Sequence, residues 1–484
     1  MWTCGHVACG HALHADMHCM RTCSDEVSSV PVLILRFMKT SLFTSIVSAC
    51  GILLAILACS GCKPENGPPV LHEPNYLYTH AVGTAEDTDL EKPLADTQDL
   101  LVEWFGTLDE PKLPPLLQEE DYEDLLSLEL LKKAAGPAVA TVEPGETGLY
   151  RQLCSSCHGD TGQGRGPVAA SQNPYPREFR HGVFKYKSTP RRYKPLKEDI
   201  AKSLRRGLAG SQMPLFDKLP DDKINALVDY VIFLSIRGEF ERKLIYNAAY
   251  ELDLEKDRVY SASLKRMPDE TSKKTLESQV DSATEILTEV ADLWVETPDS
   301  LEEFDLPDFP VFGSETDENR DQLAASIEKG KALFASEISA CSKCHGANAM
   351  GEGTQQPDYD DWTKDWTSKI GINPTNVEEL MPFMARGGMK PQALKPRNIV
   401  EGKLRGGREP MEIYRRIRYG IVGSPMPAAS VVSSPDQTGL QEDDVWHLVN
   451  YVLSIAQPAE AAPPASQPKQ ASSDDQVMKV GANN

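Results

Sequence analysis

The chain has 484 residues, which is enough for two or three domains that each bury a hydrophobic core. Aspartate and glutamate outnumber lysine and arginine by 72 to 50, which gives a formal net charge of −22 at pH 7. This charge excludes nucleic acid as an expected partner, because phosphate binding requires a basic surface.

A targeting signal is predicted to begin at Met38, in MKTSLFTSIVSACGILLAILACSGC. A lysine followed by an apolar run is typical of a secretory signal peptide. The segment ILAC, which ends at Cys59, resembles a bacterial lipobox, in which the cysteine is lipidated and becomes the first residue of the mature protein. The alternative is an uncleaved membrane helix, because the run is close to spanning length. Either anchor predicts N-terminal tethering on the periplasmic side of a bacterial membrane.

Residues 1–37 precede this signal and contain four cysteines and four histidines, a composition that could bind metal. A folded zinc module ahead of a signal peptide would obstruct export. We therefore expect a misassigned start codon and leave this segment out of the fold prediction.

Helical patterns flank the central part of the chain. After a spacer over residues 60–90, EKPLADTQDLLVEWFG and EEDYEDLLSLELLKKAAG each have an acidic start and end in glycine, as helices do. Further on, KKTLESQVDSATEILTEVADLWVE is amphipathic and predicts a helix in an acidic connector. The proline- and alanine-rich C-terminal segment predicts a disordered tail.

Two segments between these helices repeat one another. CSSCHG pairs with CSKCHG, PREFRHG with PRNIVEG, RRGLAGSQMP with RYGIVGSPMP, and LVDYV with LVNYV, always in the same order. The second copy is longer between its CxxCH and its PR block, 52 residues from His345 to Arg397 against 19 from His158 to Arg177. The order of the shared blocks indicates a duplicated domain.

The CxxCH motifs fit covalent haem better than the two other sites that begin with this spacing. A structural zinc needs four ligands, whereas each copy supplies only two cysteines. A redox dithiol of the thioredoxin type has no use for the adjacent histidine. In a c-type haem site both thiols bond to the porphyrin and the histidine binds iron. The predicted thioether cysteines are Cys154, Cys157, Cys341 and Cys344, and the predicted proximal ligands are His158 and His345.

These motifs resemble the class I cytochrome c family, here as two fused domains. In that family a glycine and an aromatic residue precede CxxCH on an N-terminal helix, as Gly330 and Phe334 do in KGKALF. The aromatic position is Tyr150 in the first copy, and the C-terminal helices present Tyr230 and Tyr451 to the same contact. The resemblance also implies that the Pro167 carbonyl accepts a hydrogen bond from the His158 ring.

Methionine is the predicted sixth ligand of each iron. Met213 is the single methionine between His158 and the end of its domain, and Met426 is the one that occupies the same repeated block in the second copy. The alternative is that both are core-filling side chains. Ligation by thioether sulfur raises the reduction potential, and a six-coordinate iron has no vacant position for substrate.

Two basic stretches lead into the methionine blocks of this acidic chain. Residues 177–206 contain eleven lysines and arginines against three acids, and residues 386–418 contain ten against three. They are interpreted either as solvated loops or as surfaces that steer acidic redox partners towards the haems.

The predicted fold is mainly α, with two cytochrome c-like helical domains and extra N-terminal and connecting helices. In chain order we expect an upstream segment and signal peptide (1–58), a spacer and helical N-terminal extension (59–140), domain 1 (141–240), an acidic helical connector (241–322), domain 2 (323–457) and a disordered tail (458–484).

The predicted function is a membrane-tethered periplasmic cytochrome with two covalently bound haem c groups, which relays single electrons in a respiratory chain. The architecture is similar to dihaem subunits that feed oxidases and to fused cytochromes that serve dehydrogenases. Expected partners are a quinol-oxidising complex, a terminal oxidase or a dehydrogenase. The alternatives are a dihaem peroxidase, in which one iron loses its distal ligand, and a non-redox scaffold.

Overall fold

The computed structural model describes residues 69–136, 147–353, 358–359, 370–434 and 436–456. All of them fall in one of the two units into which the chain divides, the one that begins at Gly67. The signal peptide, the lipidation site Cys59 and the C-terminal tail lie outside the described residues and stay predictions.

Helices dominate the described residues, as the sequence predicts. They are α1 (Tyr76–Ala85), α2 (Glu91–Phe105), α3 (Leu128–Ala135), α4 (Leu149–Leu153), α5 (Ser155–His158), α6 (Lys197–Arg206), α7 (Asp221–Tyr250), α8 (Glu270–Val295), α9 (Arg320–Ala335), α10 (Cys341–His345), α11 (Val377–Met384), α12 (Pro410–Tyr419) and α13 (Glu442–Ile455). Strands β1 (Asp358–Tyr359) and β2 (Ala393–Leu394) pair antiparallel, with Asp358 opposite Leu394. Within the described ranges, no helix has both the length and the hydropathy that crossing a membrane requires.

Helix α7 is the central element of the first half of the chain. Its first turn carries Asp221 and Asp222, which favour a helix N-terminus, and its side chains are buried on nearly every face. It contacts α1, α2, α3, α4, α6 and α8. The helix continues through residue 240, where the sequence placed the end of domain 1, because Leu244, Ile245 and Ala248 extend its buried surface.

The N-terminal extension is more ordered than the sequence indicates. Helix α1 lies inside the predicted spacer at 60–90, so that prediction was wrong for this part; Tyr78 and Val82 are buried in the same core as α7. Helix α2 matches the first predicted helix. The second pattern is helical only from Leu128, after Ser127 caps the helix by accepting a hydrogen bond from the Leu130 amide.

Helix α8 confirms the amphipathic pattern of the connector. Asp269 caps its N-terminus, and the buried side chains Ala283, Leu287, Val290 and Trp294 recur at helical spacing on one face. This face packs on α7 and joins the core of the first half. The connector is therefore an added layer of the first domain along this helix.

A second core forms where α9 crosses α13. A methyl group added at Gly330 would overlap the carbonyl oxygen of His447, so only glycine allows the close crossing. The rings of Phe334 and Tyr451 lie 5.3 Å apart at this crossing, and those of Tyr150 and Tyr230 lie 5.0 Å apart in the first half. The aromatic contacts implied by the family resemblance are thus present in both halves.

A third cluster joins the N-terminal extension to the second half. Leu77 and Ala81 of α1 pack against Leu380 and Phe383 of α11, which lies in the segment that lengthens the second repeat. The extension thus contacts both halves of the chain.

Glu241 holds the extension on α7. Its side chain is 0% exposed and accepts hydrogen bonds from the Asn75 amide at 2.8 Å and from Gln98 Nε2 at 2.7 Å. Arg237, one turn earlier, lies 3.5 Å from the same carboxylate. Because a buried carboxylate requires such partners, the loop before α1 and the helix α2 are fixed on α7 together.

We expect Glu241→Ala to lower the free energy of unfolding by about 3 kcal/mol, because it leaves a buried arginine and an amide without their acceptor. The matched control is Glu289→Ala, which removes a 65% exposed partner of Lys243 and should cost less than about 1 kcal/mol. Urea unfolding followed by circular dichroism measures both. Equal losses in the two variants would contradict the role of Glu241.

Candidate haem sites

The first CxxCH motif forms a single helical turn directly after α4. The amides of Cys157 and His158 both donate to the Cys154 carbonyl oxygen, at 3.1 and 2.9 Å. This turn places both thiols and the imidazole on one cavity, to which Met213 is brought from the loop after α6. The structure therefore gathers the four predicted residues of the first site.

The walls of this cavity are mainly apolar. They include Leu153, Phe179, Phe184, Ile200, Leu204, Phe216 and Val231. Although Cys154, Cys157 and His158 share this cavity, no group of three or more histidine, cysteine, aspartate or glutamate side chains among the described residues is arranged to hold a metal ion. Two thiols, one imidazole and one thioether in an apolar cavity fit a flat, apolar, iron-bearing cofactor such as haem c, and do not fit a structural zinc.

The His158 ring is held from two sides. Its Nδ1 lies 2.9 Å from the Arg177 carbonyl oxygen, and the ring stacks on Phe179 with centroids 4.5 Å apart. Donation from Nδ1 leaves the lone pair on Nε2, which is the tautomer that an iron ligand needs. Burial lowers the pKa of His158 to about 4, so the ring is neutral at pH 7.

The expectation that the Pro167 carbonyl accepts the hydrogen bond from the His158 ring was therefore wrong. The acceptor comes from the PR block, whose backbone is fixed nearby by donation from the Phe179 amide to the Gly162 carbonyl oxygen at 2.7 Å. The occurrence of the PR block in both copies was the sequence feature that could have indicated this role.

The second CxxCH motif has the same backbone framework. His345 Nδ1 lies 3.0 Å from the Arg397 carbonyl oxygen, and burial lowers the pKa of His345. The Gly351 amide donates to the His345 carbonyl oxygen at 2.8 Å, as the Gly164 amide does to His158. The PR block thus orients the imidazole in both halves.

The two methionine loops also contain equivalent hydrogen bonds. The Leu208 amide donates to the Met213 carbonyl oxygen at 3.2 Å, and the Ile421 amide donates to that of Met426 at 3.1 Å. Ser211 and Ser424 occupy equivalent positions and accept from the two methionine amides. Three other methionines of the second half are exposed at the surface, namely Met350, Met381 and Met384.

The comparisons with known proteins divide the chain in the same way. Residues 142–231 match the family described as cytochrome c oxidase, cbb3-type, subunit III, and residues 327–401 match the family described as cytochrome c. The chain contains two cytochrome c-type domains. The first match includes Met213, whereas the second ends before Met426.

Two further comparisons add less. No curated protein matches the sequence. A chain of the reducing HAO-like protein complex of Kuenenia stuttgartiensis is similar, with 22% identity over 64% of this chain and 94% of that chain. Its TM-score of 0.37 is too low to define the fold or function of this chain.

One thiol in each cytochrome c-type domain lies in an environment unsuited to dithiol chemistry. Cys154 is buried, and burial raises the pKa of its thiol to about 12; burial also raises the pKa of Cys341. A redox dithiol needs a lowered pKa, because the thiolate is the nucleophile. This environment argues against the dithiol interpretation.

The two basic stretches meet at the seam, by which we mean the contact between residues 172–214 of the first domain and residues 392–424 of the second. Lys202 pairs with Glu412 at 2.8 Å and Arg206 pairs with Glu409 at 2.7 Å across this seam. Two of the basic side chains are therefore paired with acids of the same chain, and both stay partly exposed at the surface.

Three residues that the sequence did not single out complete the first site. Tyr186 lines the first cavity, and so does Arg405, which belongs to the second domain. Gln392, also of the second domain, accepts from the Tyr175 amide at 3.0 Å and donates to the Gln172 carbonyl oxygen at 3.1 Å. In the sequence, the basic composition around Arg405 was the one feature that drew attention to this segment.

We expect Gly207→Ala and Gly420→Ala to disturb the methionine loops. Both glycines have positive φ, +60° and +70°, and an added methyl group would lie 2.7 Å from the Pro214 carbonyl carbon and 2.5 Å from that of Pro427. The free energy of unfolding of each variant should fall by about 3 kcal/mol, because the clash adds to the backbone strain. Amide hydrogen exchange at Leu208 and Ile421 and urea unfolding measure the effect.

The control for these variants is Gly313→Ala. This glycine has φ +90° but no neighbouring atom within 4 Å of an added methyl group. This variant should lose about 1 kcal/mol of unfolding free energy, from backbone strain alone. The amide hydrogen exchange of Leu208 and Ile421 should stay unchanged. Equal effects at all three glycines would show that the close approach in the methionine loops is unimportant.

Proposed function

We propose that this chain is a dihaem c-type cytochrome that relays single electrons in a respiratory chain, on the periplasmic side of a bacterial membrane. The observation that carries the proposal is that Cys154, Cys157, His158 and Met213 line one and the same apolar cavity. The matched backbone contacts around His345 and Met426 support a second site of the same kind.

Haem c supplies a one-electron iron couple when it is bound. Two cysteines in each domain would hold it covalently, and a histidine and a methionine would bind the iron. The carbonyl groups of Arg177 and Arg397 orient the two imidazoles and strengthen their donation. The apolar walls of the first cavity would limit the access of water to a bound haem, which would favour the less charged, reduced state.

The electron carrier is favoured over the peroxidase. A peroxidase needs an open iron position and an acid–base side chain beside it. The described residues that line the first cavity include no carboxylate and no histidine other than His158, and they include the candidate distal ligand Met213. This arrangement supports outer-sphere electron transfer.

Tethering and partners are proposed from the sequence. The signal that begins at Met38 and the lipidation site Cys59 would keep the domains at the membrane surface, and haem c is attached outside the cytoplasm. The match of the first domain to subunit III of cbb3-type oxidases supports an oxidase as one partner. A quinol-oxidising complex or a dehydrogenase would supply the electrons.

We expect the exported protein to contain two covalent haems, and Cys154→Ala with Cys157→Ala to contain one. Pyridine haemochrome absorbance and intact mass measure this directly. A wild-type protein without haem, or a double variant that still holds two, would overturn the proposal.

We also expect Met213→Ala to keep both haems but convert one to the high-spin form, because it removes a sixth ligand. Absorption spectroscopy detects the loss of the sulfur-to-iron band. The control is Met381→Ala, which truncates a 61% exposed methionine and should leave two low-spin haems. Two low-spin haems in Met213→Ala would contradict the ligand assignment.

A further inference from the structure

Arg405 belongs to the second domain but lines the cavity of the first. Its Nη2 donates to the Gly210 carbonyl oxygen at 2.6 Å, and its Nε donates to the Ala209 carbonyl oxygen at 3.3 Å. Both carbonyls lie in the loop that carries Met213. One guanidinium therefore contacts the methionine loop and faces the candidate haem cavity at once.

The backbone of Arg405 is fixed by its own domain. Arg416 of α12 donates from Nη1 to the Arg405 carbonyl oxygen at 2.5 Å and from Nη2 to the Gly407 carbonyl oxygen. Gly406 lies against the ring of Tyr186, where an added methyl group would be 2.6 Å from Cδ1. These contacts restrict where the guanidinium can point.

The seam around Arg405 is also held by contacts independent of it. Gln392 bridges two backbone groups of the first domain, and the ion pairs Lys202–Glu412 and Arg206–Glu409 cross the same seam. Five side chains besides Arg405 therefore make contacts across the seam, with Gln392 bonded to the backbone on the other side. A change at Arg405 can be read as a local effect.

We propose that Arg405 is a positioning residue of the first haem site that acts across the seam: it holds the Met213 loop and keeps a positive charge at the first cavity. The inference rests on the proposed haem function. Oxidised iron carries one more positive charge than reduced iron, so a nearby guanidinium disfavours oxidation and raises the reduction potential. The redox properties of the first site thus depend on the second domain.

The two roles of Arg405 are separable by substitution. Arg405→Gln removes the charge and the two-pronged donor, whereas Arg405→Lys keeps the charge and loses the fixed fork. We expect Arg405→Gln to make reduction of the first haem tenfold less favourable. For one electron this corresponds to a reduction potential lower by about 59 mV. Arg405→Lys should lower that potential by less, because it keeps the charge, but should weaken the sulfur-to-iron band of the first haem.

Redox titration of the full, haem-loaded chain in a Met426→His background makes the measurement. The component that Met426→His lowers is the second haem, and the other component is the first. The control is Arg418→Gln, which removes the same charge from a residue paired with Glu442 inside the second domain. It should change the equilibrium of the first haem less than twofold.

Haem content separates failure of this inference from failure of the proposed function. A wild-type chain without haem overturns the function. Two bound haems, with an unchanged first potential and an unchanged band in both Arg405 variants, overturn the role of Arg405 alone. An equal shift in Arg418→Gln also overturns it, because the effect would then be general electrostatics. Where Arg405→Gln gives too little protein, the band of Arg405→Lys decides.

Discussion

The hydrogen bond between the CxxCH histidine and a carbonyl of the PR block is the constraint on which both candidate sites depend. His158 and His345 each place Nδ1 within 3.0 Å of the backbone of an arginine, Arg177 or Arg397. Because the acceptor is a backbone atom, the whole PR loop must be in place before the ring can point Nε2 into its site. The loop in turn depends on amide contacts near the glycines that follow CxxCH.

The helices added to the first domain pack around the helix that forms one wall of its cavity. Helix α7 supplies one wall of the first cavity through Val231, and its other faces are covered by the N-terminal extension and by α8. Charged groups such as Glu241 and Arg237 are buried in that covering, where each requires a partner. The added layers therefore fix the helix that shapes the site.

The seam changes how the charge of the chain is interpreted. In the sequence, the two basic stretches of this acidic chain are interpreted either as solvated loops or as surfaces that steer acidic partners. The structure brings the two stretches together, pairs Lys202 and Arg206 with Glu412 and Glu409, and places Arg405 at the first cavity. The basic residues serve the contact between the two domains as well as any contact outside the chain.

The sequence by itself determined the two cytochrome c-type domains, the four candidate residues that line the first cavity, and most helices, including α2 and α8. It could do so because covalent haem attachment needs contiguous residues and because amphipathic helices leave a periodic pattern. Only the tertiary structure decided that the Arg177 carbonyl replaces that of Pro167, that α1 forms within the predicted spacer, and that Arg405 reaches Ala209 across 196 residues. Such long-range contacts depend on how distant segments pack, and they leave no spacing in the sequence to read.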